Sequence, residues 1–138
     1  MASVEIHYNK ALTILFLIAL LVLALSMNYF AFIVGGSTLL KIITLAVNIY
    51  VVYDFYGLVK QIRENKPAIV LSEQTIELYK KGKPSCYAWN EIEKIYVEQD
   101  EGSSYLIIHA NGAKKKFGLG FLEKNPAEIY SLINTYKK

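Results

Sequence analysis

The sequence is poor in the residues that most chemistry requires. It holds one cysteine, Cys86, so no disulfide can form within the chain, in keeping with a reducing compartment. Cys86 shares one side of an alternating strand with Ala88 and has no histidine near it in sequence, so it reads as a small buried hydrophobe rather than a nucleophile. The two histidines, His7 and His109, stand far apart, and no Cys/His spacing suits a metal. P-loop and nucleophile-elbow motifs are absent, and Gly118-Leu119-Gly120 lacks the third glycine of a dinucleotide fingerprint. The expectation is a non-enzyme with no catalytic, cofactor-binding or metal residues. A net charge of +3 without a recognised binding motif excludes nucleic acid as the expected partner.

Charge is missing altogether from residues 11–40. A bilayer core needs roughly 20 apolar helical residues, and Ala11 to Val34 supplies them, interrupted only by Ser26 and Asn28. Ile42 to Val59, extended by Leu39, Leu40 and a snorkelling Lys41, supplies a second span that carries Asp54. Between them, Gly35-Gly36-Ser37-Thr38 frees the backbone to reverse. The prediction is an antiparallel hairpin over residues 1–64, with spans at about 11–34 and 39–59, and a domain over 65–138. Lys60, Arg63 and Lys66 follow the second span and Lys10 precedes the first, which places both termini in the cytoplasm. Tyr29, Phe30 and Phe32 at one level, and Tyr50, Tyr53, Phe55 and Tyr56 at the other, read as interfacial belts. The alternative for the first segment is a cleaved signal peptide, with Ala24-Leu25-Ser26 as the cutting site. After such a cut the second span would still leave the remainder of the chain inside.

Beyond Lys60 the pattern changes to period two. Ala68 to Leu71 and Thr75 to Tyr79 read as strands, the latter with Ile76 and Leu78 on one face. Lys80-Lys81-Gly82-Lys83-Pro84 is a turn, followed by strands over Ser85 to Trp89 and Ile92 to Gln99. Asp100-Glu101-Gly102-Ser103 leads into Tyr105 to Ala110, and Asn111-Gly112, a strong hairpin signal, feeds Ala113 to Leu119. Asn125-Pro126-Ala127-Glu128 then opens a helix, with Asn125 as N-cap, Pro126 at the first position and Glu128 as the capping-box partner. Its stripe Ile129, Leu132, Ile133, Tyr136 must bury against the sheet.

Six antiparallel strands closed by one amphipathic helix resemble a pleckstrin-homology-like (PH-like) domain. The pattern Trp89-x-x-Ile92-x-x-Ile95 after a short strand is similar to that of small bacterial membrane proteins with two N-terminal spans and a PH-like domain. The resemblance implies a small barrel or sandwich of antiparallel strands capped by the helix, an α+β fold, in a bacterial inner membrane. It implies structural roles for Trp89, Ile92 and Ile95, with Asn90-Glu91 turning the chain. Six strands are one fewer than a full domain of that kind, which leaves the bounds of the first strand open.

Two lysine groups are candidates for contact with anionic lipid: Lys80, Lys81 and Lys83 in the turn, and Lys114, Lys115 and Lys116 in the last strand. Near a cytoplasmic leaflet each cation is worth on the order of 1 kcal/mol. In a strand Lys114 and Lys116 point one way and Lys115 the other, so a solvated face is the alternative. Asp54, the acidic residue within the spans, is a candidate intramembrane polar residue or an interfacial one beside Tyr53 and Tyr56. Asn28 and Asn48 are placed to bond between helices or between protomers. The functional expectation is a membrane-anchored binding or scaffolding module that engages a protein partner or a second copy beside the bilayer. The alternatives are a sensor of anionic headgroups and an accessory subunit of a transport complex.

Overall fold

The structure, a computed structural model, describes residues 2–80 and 83–137. It divides into two units: Lys10–Glu64, and Met1–Asn9 together with Asn65–Lys138.

The first unit is a helical hairpin. Helix α1 (Lys10–Asn28) ends in a π-helical turn, Tyr29–Ile33, and helix α2 spans Thr38–Glu64. Leu, Ala and Ile dominate α1, with no proline or glycine to interrupt it. At the reversal Gly35 sits at φ 92°, in the left-handed region, and Gly36 packs so closely that a Cβ would stand 2.6 Å from Leu40 Cδ2 and 3.1 Å from Ala31 Cα. Ser37 Oγ accepts the Leu40 N–H at 3.3 Å and caps α2. Asn65, at φ 47°, stops α2 in a left-handed terminus. Within the hairpin Thr13, Leu17, Ala24, Ala31, Thr44 and Val51 are buried, four of them small. Between them Asn28 and Asn48 exchange two side-chain hydrogen bonds, each 3.0 Å.

Both helices, Lys10–Ile33 and Thr38–Glu64, are long and apolar enough to cross a membrane. Only 17% and 11% of their apolar windows are buried, the reverse of a soluble core helix. The second helix outruns the span read from sequence as 39–59, because Lys60–Glu64 contains no breaker and its ends form an i,i+4 pair at 4.0 Å.

Among the described residues, the second unit holds seven strands and one helix. A four-stranded antiparallel sheet runs in the order β1 (Val4–His7), β2 (Pro67–Leu71), β3 (Thr75–Lys80), β4 (Lys83–Ala88). A three-stranded sheet follows with β5 (Ile92–Asp100), β6 (Ser103–Ala110) and β7 (Ala113–Gly118), and the helix is α3 (Pro126–Tyr136). β1 adds a seventh strand to the six expected. It comes from the segment that the sequence assigned to the hairpin, and it pairs with β2 from Val4↔Leu71 to Ile6↔Ile69. Four residues with no turn signal around them, directly followed by an apolar helix, carry little period-two pattern.

Turn chemistry fixes the second sheet. Glu101 and Gly102 (φ 47° and 81°) join β5 to β6, and Asn111 and Gly112 (φ 51° and 72°) join β6 to β7, both two-residue turns with positive φ at each centre. A 3-10 turn, Trp89–Glu91, links the two sheets. The core lies between them: Ile6, Ile69, Leu71, Ile76, Leu106 and Ile108 have no exposed surface, and neither have Ile129 and Ile133 of α3. Asn125 Oδ1 accepts the Glu128 N–H at 2.9 Å, as the capping motif requires. Cys86 corrects its sequence reading, because it is exposed. On β4 the side chain turned to the core is Tyr87, so its neighbour Cys86 faces out.

Candidate interaction surface

The lysine groups occupy different sheets. Lys80 ends β3 and pairs with Lys83 at the start of β4; both are exposed, while Lys81 lies outside the described residues. The β2–β3 register runs Ile69↔Leu78, Val70↔Glu77, Leu71↔Ile76. Continued outward, it sets Lys80 level with Pro67, where the chain returns from α2. Tyr8, just ahead of α1, donates its hydroxyl to the Tyr79 carbonyl at 3.2 Å. Lys80 and Lys83 therefore stand at the end of the domain where the chain leaves for α1 and comes back from α2.

Lys114, Lys115 and Lys116 are exposed on β7, the outer strand of its sheet. Lys114 reaches Glu98 at 3.9 Å and Lys116 reaches Asp100 at 3.2 Å, both across β6 to β5. Lys116 also caps the Tyr105 ring at 3.9 Å from its centroid. The Asp100 hydrogen bond holds the Lys116 ammonium above the ordinary lysine pKa. On the same face Lys94 lies 5.0 Å from the Tyr96 ring, which stacks on His109 at 5.9 Å. Together these side chains roof Ile107, which is fully buried although it points away from Leu106 and Ile108. Lys114 and Lys116 thus belong to a mixed-charge face, whereas Lys115 is turned to the other side with Phe117.

Trp89 is partly buried against the core and structural: its Nε1 donates to the Ser72 carbonyl at 2.8 Å and its backbone N–H to Gln74 at 3.0 Å, clasping the β2–β3 turn. Inside that turn Ser72 Oγ accepts the Thr75 N–H at 3.0 Å. On the outside of β3, the Tyr79 hydroxyl donates to Glu77 at 2.7 Å, which raises the phenol pKa above its usual value. Asp54 is half-buried on α2. Asn28 and Asn48 satisfy one another within the chain.

The segment that sequence reasoning missed is β1, and the signal that could have found it is the isolated Val4-Glu5-Ile6 alternation ahead of Tyr8. Comparison of the chain with protein-family models, with curated proteins and with solved structures finds no match.

Proposed function

We propose that this protein is a membrane-anchored, PH-like, non-catalytic binding module at the cytoplasmic face of a bacterial inner membrane, with α1 and α2 as its anchor. The observation that carries this reading is the layout: four antiparallel strands, then three, then a capping helix, with two apolar helices inserted in the first strand connection. Such a module works by presenting a surface, and the exposed outer strand β4 is one to which an extended segment of a protein partner can add. Tethering in the membrane plane raises the effective concentration of the module toward other membrane-bound chains, so a short strand contact suffices. A photo-crosslinker attached to Cys86 on β4 tests this in native membranes. The expected result is one discrete adduct; a Ser85→Cys/Cys86→Pro chain, labelled at position 85 and lacking the outward N–H of residue 86, is expected to lose it, and a full yield in that chain would contradict strand addition.

A second reading is favoured by the placement of Lys80 and Lys83 at the end where the chain enters and leaves the hairpin. These cations would meet anionic headgroups of the bilayer holding the helices, each contributing about 1 kcal/mol, or about fivefold in occupancy. Quenching of a Cys86 fluorophore by labelled lipid in anionic nanodiscs is expected to fall with salt and in a Lys80→Gln/Lys83→Gln chain. Equal quenching in neutral nanodiscs would count against it.

A further inference from the structure

Every element of the domain from β2 onward follows the membrane hairpin, yet the sheet begins with β1, which precedes it. On one side β1 pairs with β2. On the other it meets the segment after β7: Tyr8 bridges Leu122, the Asn9 N–H donates to Phe121 O at 2.7 Å, and the Glu123 N–H donates to His7 O at 3.0 Å. The Glu123 carboxylate in turn accepts the His7 N–H at 3.0 Å. Ile6 is fully buried in the core, and the Tyr136 hydroxyl of α3 donates to the Ala2 carbonyl at 2.6 Å. Without this segment, β2 and Phe121–Glu123 would each lose backbone partners and the core would lose an isoleucine.

We infer that the gap between β2 and Phe121–Glu123 is an acceptor site for one extended segment, filled by the chain's own Ala2–Asn9, and that filling it makes folding of the domain conditional on correct membrane insertion. β1 and β2 are hydrogen-bonded neighbours, so the two ends of the hairpin must emerge on one side of the bilayer before the sheet can form. A chain whose first helix enters in the opposite sense, or is cut after Ser26, cannot supply the strand in cis. Assembly of the domain thus reports that both helices have been inserted as a pair. The inference rests on the membrane-spanning reading of α1 and α2.

Two measurements test it. In sealed vesicles, an impermeant maleimide is applied to the chain with its native Cys86 and to a Ser3→Cys/Cys86→Ser chain. Labelling from the same side is expected; labelling from opposite sides overturns the inference. Extraction of the chain by alkaline carbonate would instead overturn the membrane reading, so the two failures are distinct. Separately, a chain shortened to begin at Lys10 is expected to lose protection of its domain against limited proteolysis by about tenfold or more. A synthetic peptide of residues 2–9 should restore protection saturably, and the same peptide with Ile6→Asp should not. Unchanged protection in the shortened chain, no rescue, or equal rescue by both peptides would overturn the acceptor site.

Discussion

Single side chains here act mainly through pairs, and two pairs carry predictions. Lys116 and Asp100 are both exposed, so their contact adds little stability, but it leaves a titration signature. Because the folded pKa of Lys116 is raised, its stabilising effect is fully present below the unfolded lysine value and is lost as pH rises through the folded one. Side-chain NMR should therefore find Lys116 titrating above an ordinary lysine, and Asp100→Asn should bring it back down. In the hairpin, the reciprocal Asn28–Asn48 bonds are worth about 1 kcal/mol or less, since an unfolded helix pair in lipid finds other partners. Asn28→Ala alone leaves Asn48 short of a partner, so Asn28→Ala/Asn48→Ala should cost hardly more than either single change in a helix-association assay. Cys86 shows the limit of reading one residue at a time. Alternation divides a strand into two faces, but which face turns inward is decided by the partner layer, here in favour of Tyr87.

At the scale of elements, local rules fix most of what is seen. The charge gap marks α1, the glycine pair marks the reversal, and Asn111-Gly112 marks the β6–β7 turn through its positive φ values. α3 is specified twice, by its Asn125 N-cap and by its apolar stripe. Asn125→Ala should cost about 1 kcal/mol through the lost cap. Ile133→Ala, which opens a hole among fully buried neighbours, should cost about 2–5 kcal/mol, and thermal unfolding of both chains gives the ratio. The lysine triplet on β7 was legible as a charged strand, but not as a mixed-charge face. Its pairing with Glu98 and Asp100 depends on the register of two strands against β6, which sequence spacing does not reveal.

For the whole molecule the informative feature is an insertion: two helices long and apolar enough to cross a membrane, placed between neighbouring strands of one sheet. The sequence divides at about residue 64 into an apolar part and a strand-rich part. It misses that the segment through Asn9 belongs with the second part, because the partner of β1 lies beyond the entire hairpin and no local pattern can announce it. A fragment starting near Asn65 would therefore lack a core strand, and experiments on the domain call for the complete chain. Hydrogen–deuterium exchange on the full chain in lipid nanodiscs tests this organisation most directly. The amides of Val4–His7 are expected to exchange as slowly as those of Ala68–Leu71 and to open together with them. Fast exchange across Val4–His7 beside a protected β2 would contradict it.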